Sequence, residues 1–119
     1  MAAKIFNCAE IDKILLFMKS ECKVIKRIGV TGSYAQKKQT EESDLDIVVD
    51  VDKNDRNSFW PFAQKLREVL INNYMLPVDF VFYDDAVNRA KYKEDAALLD
   101  KIESDMYREM LLKTRWMDG

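Results

Sequence analysis

The segment from Asp44 to Val51 constrains the fold most strongly, because polar and apolar side chains alternate along most of its length. Successive side chains of a β-strand point to opposite faces of the sheet. The odd-numbered positions, all Leu, Ile or Val, share one face, and the even-numbered positions, including Asp44 and Asp46, share the other. The pattern therefore predicts a strand with one strongly buried face.

Two more segments have the composition of strands. Val24 to Val30 is mostly apolar and β-branched, and it runs into Thr31-Gly32-Ser33. Val78 to Tyr83 alternates, which places Asp79 on the face opposite Val78. We expect Tyr34 to Ser43, which is polar, to form a helical turn followed by a loop.

Helices are predicted on both sides of these strands. Asn7 and Glu10 have the spacing of an N-cap and its partner, and apolar residues recur at helical spacing from about Cys8 to Glu21. A second helix is expected to be capped by Ser58, to carry Pro61 in its first turn and to end at Asn72-Asn73.

The chain from about Ala86 onward has helical composition, with a break expected between Glu94 and Lys101. The order helix, strand, strand, helix, strand, helix predicts an α/β (α+β) fold, in which a small mixed β-sheet is flanked by helices. A length of 119 residues without repeats or an evident linker indicates one domain, residues 1–119.

Composition narrows the chemistry. The chain has no histidine, which excludes histidine bases and triads, and Cys8 and Cys22 form no C-x-x-C pair that would suggest zinc. A net charge of −2 argues against an extensive nucleic-acid surface. No apolar stretch resembles a signal peptide or a membrane span, so we expect a cytoplasmic protein without a membrane partner.

Three aspartates are the candidate catalytic and metal-binding residues. Asp44 and Asp46 lie two apart on one strand face, and Asp79 lies on another strand. If the two strands are neighbours, three carboxylates meet, and a hard cation such as Mg²⁺, or Mn²⁺, would relieve their repulsion. Such a site suits two metal ions that activate an attacking oxygen and stabilise a leaving one.

The turn at Gly32-Ser33 is the candidate phosphate site. Glycine allows a phosphate to approach the backbone, and free N–H groups at a helix start favour anions. Lys37 and Lys38 follow in the same segment and are candidates for neutralising a triphosphate.

These motifs together resemble the signature of the DNA polymerase β-like nucleotidyltransferase superfamily. Gly32-Ser33 is followed after a short segment by Asp44-x-Asp46, and the strand with Asp79 resembles the one that carries the third carboxylate of the superfamily. The resemblance extends from about Val24 to Val81, and Ile102 to Tyr107 is similar to the end of the minimal nucleotidyltransferases, single-domain members often paired with a HEPN-domain protein.

The resemblance implies a function for each position. Gly32 and Ser33 would hold the β- and γ-phosphates, Asp44 and Asp46 would bind two Mg²⁺ ions, and Asp79 would bind the metal near the acceptor and help deprotonate it. The nucleoside triphosphate would be ATP, and the fold would be a short mixed sheet with helices on one side. One departure is Gln36-Lys37, where the minimal family has Arg-Gly; Lys37 or Lys38 would then replace the missing charge.

Three functions fit this sequence. The first is Mg²⁺-dependent transfer of AMP from ATP to a partner protein, which the resemblance implies is a HEPN-type toxin silenced by this chain as its antitoxin. The second is an antibiotic-type nucleotidyltransferase acting on a small molecule, with a homo-oligomer building the pocket between subunits. The third is a non-catalytic antitoxin module that neutralises its partner by binding alone.

Overall fold

A computed structural model describes residues 5–91 and 95–117 and places four strands in one mixed sheet. The strands are β1 (Arg27–Thr31), β2 (Leu45–Asp50), β3 (Val78–Phe82) and β4 (Arg115–Trp116), in the order β3-β2-β1-β4. The pairs β1–β2 and β1–β4 are antiparallel, and β2–β3 is parallel. The predicted mixed sheet is confirmed, with β2 between β1 and β3.

Five α-helices accompany the sheet over the described residues, and a 3-10 helix (Lys53–Asp55) directly precedes the third. The five α-helices are α1 (Cys8–Glu21), α2 (Gly32–Ala35), α3 (Arg56–Tyr74), α4 (Tyr83–Ala90) and α5 (Leu98–Leu112). The bounds and capping box of α1 are confirmed, since Asn7 accepts from the backbone of Glu10 and Glu10 accepts from the backbone of Asn7. None of the described helices has the length and apolarity needed to cross a membrane.

The main core lies on the face of the sheet that carries Ile47 and Val49. Both are fully buried and belong to a cluster that includes Leu15 of α1 and Phe59 of α3. The Phe59 ring also meets the rings of Phe80 and Phe82 edge-on, which ties α3 to β3. This packing explains why the alternation along β2 is so regular.

The opposite face of the sheet is also covered, which corrects the expectation of helices on one side only. Val48 has no exposed surface although it points away from the main core, and α4, with its fully buried Ala86, contacts both β2 and β3. The Thr31 hydroxyl donates to the carbonyl of Met110 at 3.0 Å, so α5 packs against the end of β1. Helices therefore enclose both faces.

Several predicted boundaries differ from the structure. The prediction for the second helix was wrong at its start: α3 begins at Arg56, its N-cap position is Asp55, and Ser58 and Pro61 both lie inside it. The reason is tertiary, because the Arg56 guanidinium pairs with Asp84 and Asp85 at the start of α4.

The first strand also begins later than predicted. It starts at Arg27 rather than at Val24, because the N–H of Ile25 donates to the carbonyl of Cys22 in a turn. Strand β4 was not predicted. It pairs with β1, and the Arg27 guanidinium lies 4.0 Å from the centre of the Trp116 ring.

The helical C-terminal part is divided as expected, with α4 ending at Ala90 and α5 beginning at Leu98. The predicted break extended from Glu94 to Lys101, and Glu94 itself lies outside the described residues. Residues 1–4 at the start of the chain also lie outside them. Much of the apolar repeat on α5 is exposed rather than buried. Its members with 47% or more of their surface exposed are Leu98, Leu99, Ile102, Met106 and Leu112.

Candidate active site

A row of residues across three strands, the acidic row, forms the centre of the site. Asp46 on β2 is in register with Asp79 on β3 and with Thr31 on β1. Neighbouring strands lie about 4.8 Å apart, so the side chains of Asp46 and Asp79 project side by side from the same face. The condition that the two strands be neighbours is therefore met, and Asp46 and Asp79 lie close together.

Asp44 lies immediately before β2 and is exposed. The loop that leads to it is fixed locally, since the Ser43 hydroxyl accepts from the N–H of Thr40 and the N–H of Ser43 donates to the carbonyl of Thr40. The N–H of Leu45 donates to the carbonyl of Pro77, which joins the starts of β2 and β3. Asp44 is thereby held at the same end of the sheet as Asp79.

Electrostatic repulsion is concentrated at Asp46. Burial, followed by the charges of Asp79 and Asp44, raises the pKa of Asp46 from 3.8 to about 6. The charges of both Asp44 and Asp79 thus act on Asp46.

The donor set fits a hard divalent cation. Three carboxylates at two adjacent strands would supply oxygen ligands, and a cation near Asp46 would offset the repulsion that adds to burial in raising its pKa. Within residues 5–91 and 95–117, no three His, Cys, Asp or Glu side chains already stand as a closed metal-binding cluster. Asp44 and Asp79 are both exposed, so their side chains can rotate towards Asp46 without displacing the core.

The turn that begins α2 touches the same carboxylate. Gly32 has a φ of 70°, and a Cβ at this position would lie 2.5 Å from Oδ2 of Asp46. Only glycine combines this left-handed backbone with so close an approach. Ser33 follows as the second residue of α2 and is half-buried, so the predicted phosphate turn directly adjoins the acidic row.

The two candidate phosphate-binding lysines lie farther along the chain. Lys37 adopts a left-handed φ of 59°, and the N–H of Lys38 donates to the carbonyl of Ser33, so both follow α2 in a tight turn. Both side chains are exposed. Neither lines the cavity that lies between Gly32 and the last turns of α5. Their contact with a triphosphate stays a prediction.

A cavity of about 250 Å³ lies between the turn at Gly32 and the last turns of α5. The sequence did not predict the residues that form the wall of this cavity. Gln36 follows α2, and Glu109, Met110 and Lys113 come from α5 and the residue after it. The spacing of Glu109 and Lys113 predicts a helical ion pair. No local signal indicates that α5 packs beside Gly32, because that contact joins residues far apart in sequence.

A family model described as the nucleotidyltransferase domain matches residues 11–115. The chain belongs to this family. The match covers the acidic row, the turn at Gly32 and all of α5. The nucleotidyltransferase domain therefore extends over most of the chain, and membership of a nucleotidyltransferase family is what the motifs predicted.

Two kinds of relatives are similar to this nucleotidyltransferase. The putative protein adenylyltransferase MJ1379 of Methanocaldococcus jannaschii is 42% identical over 77 residues, which cover 61% of this chain and 75% of that protein. A crystal structure of a toxin–antitoxin with AMP-PNP is 22% identical, with a TM-score of 0.50 over 85% of this chain and 86% of that one. A mutant of the toxin–antitoxin MntA-HpeT gives a TM-score of 0.49 at 21% identity, with the same coverage of both chains. The likeness to the structure with AMP-PNP confirms the fold.

Proposed function

We propose that this nucleotidyltransferase transfers AMP from ATP to a partner protein, using Asp44, Asp46 and Asp79. The observation that carries the proposal is the register of Asp46 with Asp79, with Gly32 against the Asp46 carboxylate. The archaeal relative is named as a protein adenylyltransferase, which supports a protein as the acceptor. The similar toxin–antitoxin was crystallised with AMP-PNP, which supports an adenine nucleotide as the donor.

The residues have distinct tasks in this reaction. An acceptor oxygen attacks the α-phosphorus of ATP, a new P–O bond forms, and the bond to the bridging oxygen between the α- and β-phosphorus breaks, releasing pyrophosphate. Asp79 helps to remove the acceptor proton, while Gly32 and Ser33 hold the β- and γ-phosphates. Asp44, Asp46 and Asp79 hold Mg²⁺, which supplies Lewis-acid stabilisation of the developing charge when bound.

The exposed apolar residues of α5 support a protein partner. Leu98 and Leu99 are more than 70% exposed on one helix, and large exposed apolar side chains in a cluster are characteristic of interaction surfaces. By its resemblance to the minimal nucleotidyltransferases, we assign the partner to the HEPN class and this chain to the antitoxin role, in the cytoplasm, where ATP is abundant.

Transfer of a labelled nucleotide tests the proposal. The protein is incubated with Mg²⁺, ATP labelled at the α-phosphate and lysate of the source cell, and labelled proteins are separated on a gel. We expect one labelled protein, absent with the Asp44→Ala/Asp46→Ala variant. Asp50→Asn is a matched control, because Asp50 lies on the same face at the far end of β2 and its loss should leave transfer intact.

The other outcomes distinguish the alternatives. Label on a small molecule instead of a protein would favour an antibiotic-type enzyme. A protein that is captured by this chain but never labelled, together with no Mg²⁺-dependent ATP binding, would contradict catalysis and favour the non-catalytic antitoxin module.

A further inference from the structure

The cavity beside Gly32 lies at one end of the acidic row. Thr31 and Gly32 line it, and Thr31 is in register with Asp46, whose other neighbour in the row is Asp79. The cavity is thus on the β1 side of Asp46, whereas Asp79 is on the β3 side. If the acceptor approaches Asp79, the leaving phosphates extend from Asp46 into this cavity.

A single ion pair dominates the charge of the cavity. Lys113 and Glu109 both line it, and the Lys113 ammonium lies 2.6 Å from the Glu109 carboxylate. Of the described residues that form its wall, Lys113 alone carries a positive charge. The pair is half-exposed, so the lysine can exchange its partner without the cost of opening a buried contact.

The backbone that carries Lys113 is firmly attached to the site. The hydroxyls of Thr31 and Thr114 both donate to the carbonyl of Met110, at 3.0 and 2.8 Å. These bonds fix the end of α5 against the end of β1. Lys113 is therefore held near the phosphate turn, while its flexible stem allows the ammonium to follow a ligand.

We propose that Lys113 binds the terminal phosphates of the nucleoside triphosphate, and that Glu109 competes with those phosphates for the lysine. This inference rests on the proposed function. It assigns to the end of α5 the positive charge that the sequence motif led us to expect from Lys37 or Lys38. Glu109 lowers affinity in two ways, by occupying Lys113 and by placing a negative charge beside the incoming phosphates.

Affinities for Mg²⁺-ATP and for AMP, measured by calorimetry, test the proposal. Lys113→Ala should weaken ATP binding about 10-fold, the effect of one charge-assisted hydrogen bond, and leave AMP binding unchanged. Glu109→Gln should tighten ATP binding, and Lys113→Arg should retain it. A purely structural role for the ion pair predicts a different result, in which both single variants shift ATP binding in the same direction.

An equivalent ion pair elsewhere provides the control. Lys26 and Asp52 are exposed and lie 2.7 Å apart at the other end of the sheet, so Lys26→Ala and Asp52→Asn should alter neither affinity. Melting temperatures of all variants should stay within about 3 °C of the wild type, because exposed pairs contribute little stability.

Two results would overturn the assignment in distinguishable ways. If the wild type binds Mg²⁺-ATP and Lys113→Ala leaves the ratio of ATP to AMP affinity unchanged, Lys113 does not contact the terminal phosphates, and the proposed function stands. If the wild type binds no Mg²⁺-ATP, the proposed function fails, and the assignment of Lys113 fails with it.

Discussion

The two faces of the sheet are formed by neighbouring residues of the same strand, and they differ in what they contribute. Ile47 on one face is fully buried in a cluster of apolar side chains from α1 and α3. Asp46 on the other face is half-buried among carboxylates, and its pKa is raised to about 6. Ile47 thus adds to the stability of the fold, whereas the charge of Asp46 opposes it, as we expect of a residue retained for a site.

The largest expected effect comes from removing the central charge. Asp46→Asn should reduce nucleotide transfer on the order of 10³-fold, because the residue stands between both neighbouring carboxylates and the phosphate turn. Label transfer per folded protein measures this. Transfer at the wild-type rate would show that the polar face is not the catalytic one.

The same variant should be more stable than the wild type when divalent ions are chelated. A raised pKa means that the ionised side chain opposes folding: stability is greatest below pH 3.8, where the side chain is neutral, and falls as the pH rises through about 6. At neutral pH, Asp46→Asn should therefore raise the free energy of unfolding by about 1 kcal/mol, after allowance for solvent screening of a half-exposed group. Urea unfolding in EDTA measures the difference, and a loss of stability would contradict the account of this face.

On the opposite face, Ile47→Ala should lower the free energy of unfolding by about 3 kcal/mol. The substitution removes fully buried methyl and methylene groups and leaves a cavity in the main core. Leu16→Ala is the matched control, because Leu16 is 43% exposed and its loss should cost much less. Equal losses in urea unfolding for the two variants would contradict the described core.

Gly32→Ala tests the point where the turn meets the acidic row. A left-handed alanine costs about 1–2 kcal/mol of stability, and its methyl group would displace the Asp46 carboxylate. Transfer should therefore fall more than the loss of stability explains. If both the melting temperature and the transfer rate stay at wild-type values, Gly32 does not limit the position of Asp46.

The smallest effect on transfer is expected far from the site. Asn7→Ala removes one half of the capping box of α1 and should lower the free energy of unfolding by about 1 kcal/mol. Transfer by the folded protein should not change, because α1 lies on the core face. A variant that unfolds normally but transfers slowly would show that the two faces are not separable in this way.

The success of the sequence predictions followed the range of the interactions involved. Helix α1 was predicted with its bounds because Asn7 and Glu10 cap it through contacts three residues apart. The proximity of Asp46 and Asp79 was predictable once two alternating strands were taken as neighbours. The start of α3 was predicted wrongly, since Arg56 is held by Asp84 and Asp85 from a distant helix.

The remaining features depend on contacts that no local pattern encodes. The approach of Gly32 to Asp46 joins a turn to a strand, and the position of Lys113 depends on a hydrogen bond between Thr31 and Met110 across most of the chain. A sequence indicates which residue types can bind phosphate. Only the packing of α5 indicates which lysine lines the cavity.

Binding of ATP with and without Mg²⁺, in the wild type and in Asp46→Asn, tests the central claim most directly. The account predicts that the wild type binds ATP only with Mg²⁺. It also predicts that the substitution weakens binding at least about 10-fold, because a neutral amide replaces the central carboxylate that would bind the metal. ATP binding that is insensitive to both the metal and the substitution would show that the acidic face is not the nucleotide site.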